Sequence, residues 1–443
     1  MCIRDSTHSD ASQLHFKTGS TTMLIIGGGS ITTPTPASNN VRLGLSAGSQ
    51  IVSGGNNNTL IGDEAGKYVS TGDGNVFVGY QAGLGTDSNK VTGDRNVGIG
   101  KQSGLLLQGI ANENVLIGAF AGDAITTGGG NVMIGDTAGS DADGSVHGSV
   151  FIGHNACGSG DCNDNNTIIG NTAGFETTGG QNVILGANAG LEATSIDDSV
   201  LIGYNAGAST SSSPMTGHDN VIIGSNAGSA VTGGRNVIIG TSACAVTTNL
   251  TSGTDNIFIG FQNKTNGGAT TNAICMGDSV TAVGGDNFTF GKDDTDSNIV
   301  FGSNSINVPS DERYKENIQT ATAGLSFIND LRPVTFQWKK EKDIPTDHGA
   351  YVEGSDTRVM LSNGETNHGF IAQEVKAVID AHSEIKDGFK MWSVEQREDA
   401  EGNLIENGRQ RLGEASLIPM LTKAIQELSA KNDALEARIA TLE

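Results

Sequence analysis

Ser310 and Lys315, in the stretch "SDERYKENIQ", are residue types that can together cut a peptide bond. A serine hydroxyl attacks a carbonyl only when a base removes its proton. A lysine becomes that base when burial or a nearby cation lowers its pKa, and Arg313 is close enough in sequence to be the cation. Serine and lysine at this spacing are common by chance, so spacing alone assigns nothing. Other chemistry is thinner. The eight histidines (His8, His15, His147, His154, His218, His348, His368 and His382) form no HxH or HExxH spacing, and no metal site is expected. Of five cysteines, Cys2, Cys157, Cys162, Cys244 and Cys275, only Cys157 and Cys162 are close in sequence. The set is odd and sparse, so separate thiols are expected, with a bridge or half a metal site at this pair as the alternatives. A glycosidase would need two converging carboxylates. The turns hold aspartates, but sequence does not pair them. No phosphate loop stands apart from the repeat, and no cofactor is expected.

Composition divides the chain at the same place. Of 64 glycines, 9 lie from Ser310 onward; both tryptophans, Trp338 and Trp392, also lie there. The net charge of -23 repels phosphate, so neither nucleic acid nor an anionic membrane is an expected partner. No apolar run is long enough to span a membrane, since "TTMLIIGGG" holds only four consecutive apolar residues, Met23 to Ile26. No basic start followed by an apolar run marks a secretory signal. Residues 1–38 match no pattern and stay unassigned.

Residues 39–309 repeat a phrase: "NVFVGYQAG", "NVLIGAFAG", "NVILGANAG", "NVIIGSNAG". Its first glycine recurs at 62, 79, 100, 118, 135, 153, 170, 186, 203, 224, 240 and 260, in steps of 16 to 21 residues. Each unit is too short for a helical hairpin and suits one coil of a parallel β-roll or solenoid, with two short strands and two turns. By the two-residue strand period, Val76 and Val78 share one face and Phe77 takes the other. Both faces are apolar in most copies, as for a strand buried on both sides. A thin solenoid has only one inside, so a second copy of the chain is expected to cover the other face. The middle residues (Leu60, Phe77, Leu116, Met133 and their equivalents) are expected near that axis, with Arg42 and Gly98 as local breaks. The asparagines should stack as a ladder, and the insert "STSSSPMTGHD" should be a surface loop. A calcium-binding nonapeptide roll would need aspartates every nine residues, which the repeat lacks.

From Ser310 the pattern predicts an α+β segment. "GLSFINDLRPVTFQW" reads as a helix and a strand ending at Trp338. "NHGFIAQEVKAVIDAH" reads as a turn and a helix with Ile371, Val375, Val378 and Ile379 on one side. "FKMWSVE" reads as a strand. The last helix carries a heptad seam, with Ile418, Ile425, Asn432 and Ile439 at a and Leu421, Leu428, Leu435 and Leu442 at d. Isoleucine at a with leucine at d favours a dimer and asparagine at a fixes register, so the seam predicts association without giving the number three. The alternative is a helix packed only on its own domain.

The phrases "SDERYKENI", "GFIAQEV" and "LIPMLTKAIQEL", in that order over 310–443, resemble the endosialidase-type intramolecular chaperone domain, peptidase family S74, of phage tailspikes and tail fibres. The repeats over 39–302 resemble the head repeats of trimeric autotransporter adhesins, which are β-rolls on a three-fold axis with a shorter, more regular period. The resemblance implies a homotrimer whose C-terminal domain directs folding. It also implies that this domain then cuts the Pro309–Ser310 bond, with Ser310 and Lys315 as the catalytic dyad. The protein is then expected in a virion tail, bound to a host cell-surface glycan or protein receptor. The alternatives are a bacterial surface adhesin and a polysaccharide-depolymerising tailspike. A self-releasing membrane-bound transcription factor would need a basic DNA-binding region, which is lacking.

Overall fold

The computed structural model describes residues 37–442, except 143, 211–212, 230, 246–250, 304, 347, 361–364, 387–388, 396, 399–403 and 406–408, and the backbone of three earlier strands. The expectations for Cys2 and His8 lie outside the described residues. Two compact units follow each other, Met1–Ser310 and Asp311–Glu443. In the segment that the sequence left unassigned, Gln13–Thr18, Thr21–Gly27 and Ser30–Thr32 form an antiparallel sheet.

A 16-stranded sheet runs through the first unit, its strands in sequence order. From Val41–Leu43 to Asn287–Lys292 neighbours pair in parallel, and Ser297–Val300 closes the sheet antiparallel. This is the expected parallel β-solenoid. Each repeated phrase supplies one three-residue strand, such as Val76–Val78 or Val132–Ile134. The expected second strand of each coil is reduced to isolated bridges, such as Val69 with Val91 and Ala193 with Met215. Residues with positive φ shape the corners around it, among them Gln81, Gly83 and Arg95, and leave no room for a longer strand.

The face assignment made from sequence is reversed. Leu60, Phe77, Leu116, Met133, Phe151 and Ile168 are fully buried inside their own coils, as are Ile184, Leu201, Ile222, Ile238 and Phe258. They do not lie at an axis between chains. The flanking residues of the same strands point outward and stay partly exposed. Burial inside the coil needs one large side chain per layer. The middle position supplies it while the alanine of "AG" packs the corner, with Ala65, Ala82 and Ala121 fully buried. Gly98 is the partner of a large neighbour: a Cβ there would stand 2.8 Å from the Phe77 ring. Arg42 occupies the middle position of the first coil, where its Nε donates to the Ala47 carbonyl at 2.6 Å. Met215, in the insert expected at the surface, is fully buried in the core.

The strand-opening asparagines form a buried ladder. Asn114 N–H and Nδ2 donate to Asn96 Oδ1 at 3.1 and 2.9 Å, and Nδ2 also donates to the Gly128 carbonyl at 2.9 Å. Buried amides pair in this way because an orphaned one costs about 1–3 kcal/mol. Ser149 and Ser199 keep the chain of acceptors: their Oγ atoms accept from Asn166 N and Asn220 N. It ends at Ala273, whose N–H donates to Asn256 Oδ1.

In the second unit, α1 (Leu325–Asp330) precedes the strand Val334–Phe336, which ends two residues before Trp338. Asn367–Gly369, expected as a turn, is a strand paired antiparallel with Val334–Phe336. α2 (Ala372–Ala381) buries Val375 and Ile379, with Val378 packed against them. Ile371 precedes the helix and is exposed, so it does not share that face. Trp392–Val394 is the expected strand, and α3 (Ile418–Ala440) is the terminal helix, about 35 Å long at 1.5 Å per residue.

The glycine that follows each strand yields a test. Gly118 has φ +139°, and a Cβ on it would stand 2.2 Å from the Gly135 carbonyl oxygen. Gly118→Ala should therefore cost more than about 3 kcal/mol in denaturant unfolding, or prevent folding, through strain and overpacking. Gly267, with nothing within 4 Å, should accept alanine with no measurable change. Equal midpoints for the two variants would contradict the stacking described here.

Candidate functional site

The stretch around Ser310 is built locally. Ser310 is exposed and ends the first unit. Asp311 caps a short 3-10 turn, Glu312–Tyr314, and its Oδ1 accepts from Arg313 N at 2.9 Å. Aspartate is a favoured residue at such a cap. The Arg313 side chain folds back on the same carboxylate, with Nε 3.0 Å from Oδ1 and Nη2 2.5 Å from Oδ2. The Arg313 guanidinium, its backbone N–H and the Lys315 charge hold the Asp311 carboxyl below its usual range. Lys315 follows the turn with extended backbone and is exposed. Asn317 takes φ +54°, a left-handed conformation that asparagine tolerates. Arg313 is thus directed to Asp311.

The helix seam is laid out more completely. Along α3 the a and d residues Ile418, Leu421, Ile425, Leu428, Leu435 and Ile439 are all exposed, Ile425 at 67% and Leu428 at 57%. Leu442 lies just past the helix end, 85% exposed. Asn432 is exposed too, and its Nδ2 donates to Glu436 Oε1 at 2.9 Å on the same helix. A different face meets the domain. Leu417 and Ala424 are buried, Met420 packs on the core, and Glu427 Oε2 accepts from Leu325 N at the start of α1, at 2.9 Å. The helix therefore packs on its own domain without using its most apolar stripe.

Sequence reading missed several ties that hold this unit together. Arg332 pairs with Glu374, joining the end of α1 to α2. His382, at the end of α2, places Nε2 2.9 Å from Asp330 Oδ2 and Nδ1 3.0 Å from Glu384 Oε1. Phe327 packs edge-on against the imidazole, centroid to centroid 5.4 Å. The spacing of these pairs carries no periodic signal that could have revealed them.

The remaining candidates fall in the first unit. Cys157 and Cys162 are joined in a disulfide, one of the alternatives to separate thiols. Cys244 and Cys275 are buried thiols; burial pushes Cys275 up to about 12 and Cys244 higher still. Asp164 and Asp197 line an open surface notch of about 460 Å3, with Gly180 between them. Both carboxylates serve the stack: Asp164 Oδ1 accepts from His147 N at 2.7 Å, and Asp197 Oδ1 accepts from Gly180 N at 2.8 Å. Among the described residues, no three His, Cys, Asp or Glu side chains converge as metal ligands, and no helix is long and apolar enough to cross a membrane.

Comparison with known families gives one match. Residues 310–384 fit the family model described as the chaperone of endosialidase, a peptidase S74 domain. The match begins at Ser310 and covers α1, the paired strands and α2, ending before α3. No curated protein and no solved structure matches the chain.

The His382 cluster predicts a pH dependence. Asp330 first, then Glu384, hold the imidazole pKa above its ordinary 6.5. The stability this contributes is fully present below pH 6.5 and is lost as pH rises through the raised folded value. Unfolding of the C-terminal unit, followed by its tryptophan fluorescence, should move to lower denaturant as pH rises across that window. His382→Gln should flatten the trend. An unchanged slope in the variant would remove His382 as the cause.

Proposed function

We propose that the chain is a homotrimeric fibre or tailspike protein of a phage tail. Its roll would serve as shaft and as contact for a host cell-surface glycan or protein receptor. Residues 310–443 direct assembly and then release themselves. The observation that carries this reading is the match to a chaperone domain that starts at Ser310, where the roll ends. Two features support it. S74 chaperone domains are typical of phage tail proteins, and the seam along and just past α3 leaves seven apolar side chains exposed.

The release step follows from the residues at the boundary. Ser310 Oγ attacks the Pro309 carbonyl carbon as Lys315 Nζ takes the hydroxyl proton. The Pro309–Ser310 amide breaks, its nitrogen regains a proton, and an ester joins Pro309 to Ser310 Oγ. Water then cleaves the ester, leaving a carboxylate on Pro309 and a free amine on Ser310. A serine–lysine pair needs a desolvated or cation-flanked lysine. In the single chain Lys315 is exposed and Arg313 is turned to Asp311. Association of copies is the event proposed to complete the site, so cutting follows assembly. Once the guiding domain has left, the roll cannot retrace its folding path, and its lifetime becomes a matter of unfolding rate.

Intact-mass measurement tests the cut. The wild-type chain should yield residues 1–309 and 310–443, while Ser310→Ala and Lys315→Ala should stay whole yet assemble to the same size. A wild-type trimer that remains uncut would withdraw the enzyme reading and leave a permanent assembly tip. Cutting in Ser310→Ala would point instead to direct attack by water.

A further inference from the structure

The outward face of the roll is a second apolar surface, distinct from its core. Over the twelve strands from Thr59–Ile61 to Ile257–Ile259, every first and third residue is valine, isoleucine, leucine or threonine. None of these residues is charged, in a chain with 49 acidic residues. They stay at least partly exposed, Ile99 and Ile169 most of all at 39% and 37%. None belongs to the buried core of the roll.

We infer that this two-row stripe is the surface through which copies of the chain join, side by side, parallel and in register. Strands about 4.8 Å apart make the stripe about 50 Å long and about 10 Å wide. That is about 500 Å2 per copy, at the upper end of the patches that monomers leave bare. Three such stripes meeting on one axis remove about 1,500 Å2 from water in total, within the range of specific interfaces. The period selects the occupant. A partner must present apolar side chains at the strand spacing, coil after coil, over an uncharged strip of the same length. A second copy of this chain does so by construction: at each height the first-position row of one copy faces the third-position row of the next. A charged or irregular partner surface would leave polar groups unpaired against the stripe.

The inference rests on the assembly reading above and names the face that it uses. Its test separates the two. In full-length chain carrying Cys2→Ser, cysteines are placed in the two facing rows by Val132→Cys with Ile134→Cys in one stripe variant and by Val237→Cys with Ile239→Cys in a second, and by Thr178→Cys at an exposed position as control. Light scattering reports copy number, circular dichroism reports folding, and mild oxidation with copper phenanthroline links thiols that meet. Each stripe variant should form covalent dimers with itself, at both heights along the roll, while Thr178→Cys should not. Full-size assemblies in which Thr178→Cys links, or in which neither stripe variant links, would overturn the stripe and leave assembly standing. Linking only between Ile134→Cys and a different coil would overturn the parallel register. Folded single copies in light scattering would overturn the assembly reading itself, and the stripe with it.

Discussion

The roll depends on one buried side chain per coil, the asparagine that opens each strand. Its Oδ1 accepts the peptide N–H of the next coil and its Nδ2 donates to a turn carbonyl, so a single residue closes hydrogen bonds that the short strands cannot. From Asn58 N on Asn40 to Ala273 N on Asn256 the ladder is unbroken, with Ser149 and Ser199 Oγ accepting in place of the amide oxygen and donating to the Asn163 and Asp197 carbonyls. The other features of the coil make room for it. The left-handed glycine after each strand lets carbonyls of adjacent coils approach, and the alanine corner brings the chain back under the strand. Each coil then touches only its neighbours, and stability becomes a sum over coil-to-coil interfaces.

That repetition creates a register problem. A slip by one whole coil keeps asparagine over asparagine, glycine over glycine and apolar over apolar, so local pattern alone discriminates weakly. A few residues oppose the slip. Phe77 needs the gap left by Gly98, the Cys157–Cys162 disulfide sits in one coil, and Arg42 belongs only at the first layer. A domain that fixes the C-terminal end of several copies before the coils stack would remove the remaining ambiguity. This gives a physical reason for an assembly domain to follow a roll, and for it to be dispensable afterwards.

Much of this was legible in the sequence because it repeats. Gly118 and its equivalents, Asn114 and its equivalents, and the change of composition at Ser310 are periodic or abrupt signals. The mainly β roll, the small α+β domain after it and the long terminal helix could be read from them. The choice of inside and outside for Val76, Phe77 and Val78 could not. All three are apolar, and only the curvature of the coil decides that the single middle side chain fits within. Asn367–Gly369 is too short and too polar to look like a strand; its partner Val334–Phe336 makes it one. The heptad at Ile418 to Leu442 was plain, but the face that packs on the domain, Leu417, Met420 and Ala424, is set by α1 and has no period of its own. Around Ser310, the turn of Arg313 on to Asp311 is a matter of side-chain geometry, which sequence does not carry.

Residues 310–443 are proposed to be needed to build the roll and not to keep it. The direct measurement compares residues 1–309 made alone with the same fragment produced from the full chain, by light scattering and circular dichroism under one buffer. The fragment derived from the full chain should hold its assembled size and its β signal after the C-terminal part is removed, while the fragment made alone should reach neither. Identical assembled products from both routes would contradict the claim, because the roll would then find its register unaided.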